Sequence, residues 1–138
     1  MFGPAGCAYI YRSYGIHWCL NVVGGPVPGG AVLIRALEPT EGIAIMEARR
    51  PLARRPRDLC GGPGRVCAAL GLDGTLDGRP LDASPFTLSS REGPAPPVVV
   101  GPRIGITRAV DTPWRFGLAG SGFLSRPFPA SGQAPRRG

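Results

Sequence analysis

The sequence predicts an α+β fold built on antiparallel strands, and three observations predict it. Residues 8–23 (AYIYRSYGIHWCLNVV) are rich in Tyr, Ile, Trp and Val around one interior glycine, the composition of two strands folded on a short turn. Residues 31–37 (AVLIRAL) return as an apolar strand after the turn GGPVPGG. Helical start and stop signals then take over at 40–50 and 63–70, before apolar runs resume at Val98-Val99-Val100 and Ile104-Gly105-Ile106.

In the first hairpin Tyr9, Tyr11 and Ser13 alternate with Ile10, Arg12 and Tyr14, so successive side chains point to opposite faces. Its centre is Ser13-Tyr14-Gly15, where glycine permits a positive φ and pushes the neighbouring Tyr14 outward onto the tip. The strand at 31–37 carries one charge, Arg35, which needs a partner. Pro39-Thr40-Glu41 opens a helix over 40–50, with Arg49 and Arg50 at the negative end of its dipole. The following PLARRPRD reads as a basic loop in which prolines forbid helix continuation. Pro63 starts, and Gly71 ends, a short helix over 63–70 that carries Cys67.

Residues 72–97, dense in Gly, Pro, Asp and Ser, read as an excursion with at most a short strand. The strands at 98–100 and 104–106 lie on either side of Pro102. Trp114 to Ser125 has apolar residues in pairs broken by glycines, and residues 127–138 have the composition of a disordered tail. No internal repeat is present.

A chain of 138 residues makes one domain. The net charge is +7 with a pI near 10.3, and all sixteen basic residues are arginine. GC-rich coding explains the absence of lysine as well as any function does. The positive balance itself attracts phosphate backbones or anionic membranes. No apolar run approaches the roughly 20 residues that span a bilayer, and the MFGP start does not read as a leader peptide. Nucleic acid is therefore the expected partner, with no membrane partner and a cytoplasmic location. Cys7, Cys19, Cys60 and Cys67 include no C-x-x-C pair and read as buried thiols. Scattered about a lone His17, which reads as structural, they do not make a zinc site. Neither a metal nor a cofactor is expected.

The hairpin also has the parts needed to handle a nucleobase taken out of the stack. An exposed Tyr14, with Ile16 two residues on, suits a wedge that fills the hole left in the duplex. Tyr11 suits a stacking platform, and a tyrosine face attracts a cationic purine by about 0.5–2 kcal/mol. Read alone, a tyrosine in a strand is more often core than ligand.

Four motifs, YIYRSYGIHWCLNVV, VLIRALEPTEGI, LCGGPGRVCAALGL and PRIGI, occur in an order that resembles the alkyladenine (3-methyladenine) DNA glycosylases of the mammalian-type fold. The resemblance covers residues 1–126. It implies that Tyr14 is the intercalating wedge, that Tyr11 stacks on the flipped base, and that Asn21 selects against guanine through its exocyclic amine. It also implies that Arg35 and the backbone carbonyl of Ile104 hold the attacking water. In such proteins the general-base glutamate, with a histidine and a tyrosine of the base pocket, precedes an MFGPAG-like segment, and this sequence begins at that segment. Glu38, before a proline, and Glu41, in a helical first turn, read as structural. The expectation is thus a single α+β domain, a curved antiparallel sheet flanked by short helices that lacks its N-terminal part, followed by a tail at 127–138.

The resemblance implies a base-excision enzyme that hydrolyses the N-glycosyl bond of alkylated or deaminated purines in double-stranded DNA, and a monomer is expected. Without lysine, strand cleavage through a Schiff base has only the α-amine to draw on, so a monofunctional enzyme is expected. The alternatives are a non-catalytic damaged-DNA-binding module and an inactive fragment. In the fragment Val22 and Leu33 would face no partner and leave an aggregation-prone sheet edge.

Overall fold

The computed structural model describes residues 3–104 and 111–129. Three antiparallel strands, β1 (Ala8–Ser13), β2 (His17–Val23) and β3 (Ala31–Leu33), form one sheet in that order, with β2 in the centre. Three short helices follow: α1 (Ile43–Arg49), α2 (Pro56–Leu59) and α3 (Pro63–Leu70). A 3-10 turn at Gly74–Leu76 leads to a two-stranded antiparallel sheet, β4 (Val98–Gly101) with β5 (Arg115–Leu118). The α+β reading holds, with its strands divided between two sheets.

Pairing in the β1–β2 hairpin assigns every side chain to a face, because residues directly opposite each other in an antiparallel pair point the same way. Ala8 opposite Val22, Ile10 opposite Leu20 and Arg12 opposite Trp18 make one face. Ala8, Ile10 and Leu20 are buried there against Cys67 of α3 and against Leu72 and Leu81 beyond it. The other face of α3 presents Val66 and Ala69 to Met46 of α1 and to Leu59 and Cys60. Ile34 and Leu70 pack against both clusters, so α3 is the partition of a core with two compartments.

The termini of α3 match the sequence reading. Pro63 opens it, and Gly71 closes it at φ 68°, with the Leu72 amide donating back to the Cys67 carbonyl at 2.9 Å. The helix expected at 40–50 is shorter, because Gly42 takes a left-handed φ of 68° and starts the helix at Ile43; no acidic residue lies in its first turn. The loop expected at PLARRPRD contains α2 instead. Proline at a first helical position is preorganised rather than disruptive, and Asp58 reaches back to the Arg55 amide and guanidinium at 3.2 and 3.1 Å.

The strand expected at 31–37 pairs only to Leu33; Ile34 still donates to the Leu20 carbonyl, but Leu37 donates to Cys60 as the chain leaves the sheet. The excursion at 72–97 covers the outer edge of β1. Asp77 Oδ1 accepts from the Ile10 amide at 2.9 Å, and the Ala8 amide donates to the Arg79 carbonyl. Val22, expected in the fragment reading to face no partner, packs against the core, and Leu33 is half-buried.

Ile104 sits in a bend rather than a strand, and Gly105 and Ile106 lie outside the described residues. The start of the expected tail is packed. Phe128 lies against Gly101 and Gly117, where a Cβ would come within 2.8 and 2.6 Å of its ring, and the Arg115 guanidinium stands 3.9 Å above that ring. The remainder, from residue 130, is outside the described residues.

All four cysteines are free thiols, with Cys19, Cys60 and Cys67 buried. No helix among the described residues is long and apolar enough to cross a membrane.

Two outcomes follow from this packing. Leu59 is 2% exposed, so Leu59→Ala is expected to lower the unfolding free energy by about 2–5 kcal/mol in urea titration; a loss below about 1 kcal/mol would contradict the two-compartment core. Burial pushes the Cys67 thiol up to about 11 from 9.0. The native state therefore holds its proton where the unfolded chain has lost it. The associated stability is complete below pH 9 and is lost as pH rises to 11. Cys67→Ala should flatten the fall in stability over that interval.

Candidate functional site

The face of the first sheet turned away from the core carries the sequence-predicted residues. Tyr9 opposite Asn21 and Tyr11 opposite Cys19 point that way, and Leu33 lies opposite Asn21 from the third strand. Arg35, two residues beyond Leu33 in chain that is still extended at Ile34, falls on the same side. The hairpin alternation thus brings Tyr11, Asn21 and Arg35 together on one face.

At the tip, Ser13 accepts from the Ile16 amide at 3.0 Å across Tyr14 and Gly15, whose φ angles are 53° and 65°. Two consecutive left-handed residues are the pattern of a type I′ turn, whose twist matches that of the paired strands. Tyr14 is the one non-glycine residue with a positive φ among those described, and its side chain is 93% exposed. A bulky residue there costs about 1–2 kcal/mol and gains no burial in return. Strain of this kind is characteristic of functional positions. Ile16, 68% exposed, stands beside it.

Tyr11 is partly exposed and stacks on Tyr9 with ring centroids 5.6 Å apart and planes 26° from parallel. Burial, and then the neighbouring Cys19, raise the Tyr11 phenol above its ordinary pKa, so it stays neutral. Asn21 is buried at 7% exposure on the central strand. Its Nδ2 donates to the Tyr9 carbonyl at 3.3 Å, which fixes the amide in the sheet.

Arg35 departs furthest from an ordinary protein interior. Its Nε is buried with no hydrogen-bond partner among the described residues. Burial lowers its pKa first; Arg126 and Arg103 add to the lowering, and Cys19 opposes it. Arg115 feels Arg35 and Arg126 in the same way, after burial. Four guanidinium groups therefore share this corner, while the one ion pair among the described residues joins Arg55 to Asp58 elsewhere. Arg115 is anchored by donating to the carbonyls of Arg126 and Pro127. Arg103, whose charge is felt at Arg35, is the residue before Ile104 in the chain. Glu38 and Glu41 are exposed. A like-charged cluster around a buried donor that has no acceptor among the described residues suits an oxygen acceptor or an anion.

Sequence reasoning missed Cys19 and the arginine cluster. Cys19 was detectable, since it lies opposite Tyr11 on the site face. The convergence of Arg103, Arg115 and Arg126 on Arg35 joins residues up to 91 positions apart (126 − 35) and leaves no local signal. No group of three or more potential metal ligands occurs among the described residues.

Residues 1–122 match the family described as Methylpurine-DNA glycosylase. A protein of Rhodopseudomonas palustris named "Putative 3-methyladenine DNA glycosylase" is 60% identical over 130 residues, covering 94% of this chain and 62% of that protein. A protein of the same name from Nitrosospira multiformis is 61% identical over 129 residues, covering 93% and 66%. The chain spans just under two thirds of the length of these relatives.

The strain at the tip is testable without any ligand. Tyr14→Gly is expected to be at least as stable as the wild type, and about 1 kcal/mol more stable than Tyr14→Ala. A loss above about 2 kcal/mol on either substitution would mean that the ring packs structurally.

Proposed function

The chain belongs to the methylpurine-DNA glycosylase family, and from that premise we propose that these residues read and hold an alkylated purine extruded from duplex DNA for hydrolysis of its N-glycosyl bond. The observation that carries this reading is the pairing of a strained, exposed Tyr14 with Tyr11, Asn21 and Arg35 on the site face of the same sheet. In this reading the Tyr14 ring, assisted by Ile16, enters the stack where the nucleotide leaves. The extruded base lies on Tyr11, whose neutral ring favours a cationic purine.

Asn21 is tied by its amide to the Tyr9 carbonyl and cannot swing aside. A purine with a 2-amino group therefore meets a fixed amide, which disfavours normal guanine. The free Nε–H of Arg35 donates to the oxygen of the attacking water, and the Ile104 carbonyl accepts a hydrogen bond from that water. Water oxygen bonds to the sugar C1′ as the bond to the purine nitrogen breaks, and the purine leaves with the bonding electrons. A base that was cationic departs neutral, so it needs the least help. The water that has bonded to C1′ gives up one proton to bulk water, and neither Glu38 nor Glu41 takes it in this reading. The partner is duplex DNA carrying alkylated or deaminated purines, met by a monomer in the cytoplasm.

The carboxylate-free surroundings of Arg35 among the described residues favour a second reading, a damaged-DNA-binding module that does not cut. Single-turnover excision separates the two. On duplexes containing 3-methyladenine, 7-methylguanine or hypoxanthine, the two cationic bases are expected to be released faster than hypoxanthine. Arg35→Ala is expected to slow release by about 10²-fold with little change in DNA affinity. Equal release of all three bases would contradict the leaving-group argument, and binding without release would favour the module. Asn21→Ala should raise release of guanine-type bases relative to adenine-type ones; an unchanged ratio would remove Asn21 from base selection.

A further inference from the structure

Tyr9 touches both residues that would read the base, and it touches each with a different part of itself. Its ring stacks on the Tyr11 ring, with centroids 5.6 Å apart and planes 26° from parallel. Residues two apart along a strand stand about 6.6 Å apart, at about 3.3 Å each, so the two rings lean towards each other instead of keeping the backbone spacing. That geometry is the offset stack that aromatic pairs prefer. The backbone carbonyl of Tyr9 accepts from Asn21 Nδ2 at 3.3 Å, and the strand register sets Tyr9 directly opposite Asn21.

Each contact supplies what its partner lacks. Tyr11 is 38% exposed, and an exposed side chain on a strand has several staggered rotamers open to it, each of which would set the ring in a different plane. A second ring stacked on it selects one of them, because turning Tyr11 away would break the stack. Tyr9 is itself half-buried, so the supporting ring has less freedom than the ring it supports. Asn21 is already held by burial, and the bond to the Tyr9 carbonyl settles the remaining question of how its amide is turned. A base meeting this face therefore finds a plane and an edge reader whose relation is set by one residue.

We propose that Tyr9 is a positioning residue for recognition of the damaged base: its ring holds the plane of Tyr11, and its carbonyl holds the amide of Asn21. Tyr9 acts through these two residues and does not itself touch the base. The inference rests on the base-reading roles given above to Tyr11 and Asn21, and goes beyond them in assigning the residue that fixes their relation.

The test is the preference of the full chain for a damaged duplex over an undamaged one of the same sequence. The damaged duplex carries 7-methylguanine on a sugar fluorinated at the 2′-carbon, which keeps the glycosyl bond intact while binding is measured. Tyr9→Leu and Tyr9→Val, two replacements that suit a strand, remove the ring and keep the backbone carbonyl. Both are expected to lower the preference by about three- to tenfold, the effect of losing one aromatic pair, through weaker binding of the damaged duplex alone. Tyr9→Phe keeps the ring and should keep the preference. In a Tyr11→Leu background Tyr9→Leu should cost nothing further, because coupled residues are not additive, whereas a general loss of stability would act equally in both backgrounds. Circular dichroism and thermal melting establish that each variant is folded. An unchanged preference in Tyr9→Leu and Tyr9→Val, the same loss in Tyr9→Phe, or an equal loss in the Tyr11→Leu background overturns the role of Tyr9 while leaving the base-reading proposal intact. A wild-type chain that binds the two duplexes equally overturns both.

Discussion

The site and the core are two sides of one register in the first hairpin. With Ile10 opposite Leu20 and Tyr11 opposite Cys19, one face buries against α3 while the other presents Tyr11 and Asn21. A slip of one residue would exchange the faces, sending tyrosines into the core and isoleucine to the surface. Three features hold the register. The type I′ turn sets its closure, the Asn21 amide bonds the Tyr9 carbonyl across the pair, and Asp77 caps the Ile10 amide from outside. The residues that would receive a base are thus also part of what aligns the strands.

The second constraint is charge. Arg35 enters a crowded corner of like charges because the chain runs on to it directly from β3, which pairs with β2, and β5 brings Arg115 to the same place. Anchoring Arg115 to the Arg126 and Pro127 carbonyls satisfies one guanidinium within the fold. The Nε of Arg35 stays unsatisfied among the described residues. A buried donor in this condition costs about 1–3 kcal/mol, and an oxygen from water or substrate removes that cost. This is the physical link between the fold and the hydrolysis proposed for it.

Local physics made much of this legible in the sequence. The aromatic and β-branched run with one glycine showed the hairpin and its tip, and the Pro63 and Gly71 pair marked the ends of α3. Features decided by distant residues were not legible. Gly42 could have continued a helix or stopped one, and it stops one. Pro56 reads locally as a breaker, whereas Asp58 two positions later makes it a start. Phe128 looked like tail because its partners, Gly101 and Gly117, lie in the second sheet. The motif resemblance pointed to Tyr11, Tyr14, Asn21 and Arg35. The face they share follows from period-two alternation alone, but the arginines gathered around Arg35 follow only from tertiary structure.

The central claim is that the hairpin tip enters a duplex while the face beside it receives the displaced base. The most direct measurement is the fluorescence of 2-aminopurine placed next to 7-methylguanine in a duplex titrated with the protein. Extrusion breaks the stacking that quenches the reporter, so binding is predicted to raise the fluorescence, and Tyr14→Gly to bind with little rise. A wild-type complex that forms with no change in fluorescence would contradict the account, because the tip would then be touching the duplex without opening it.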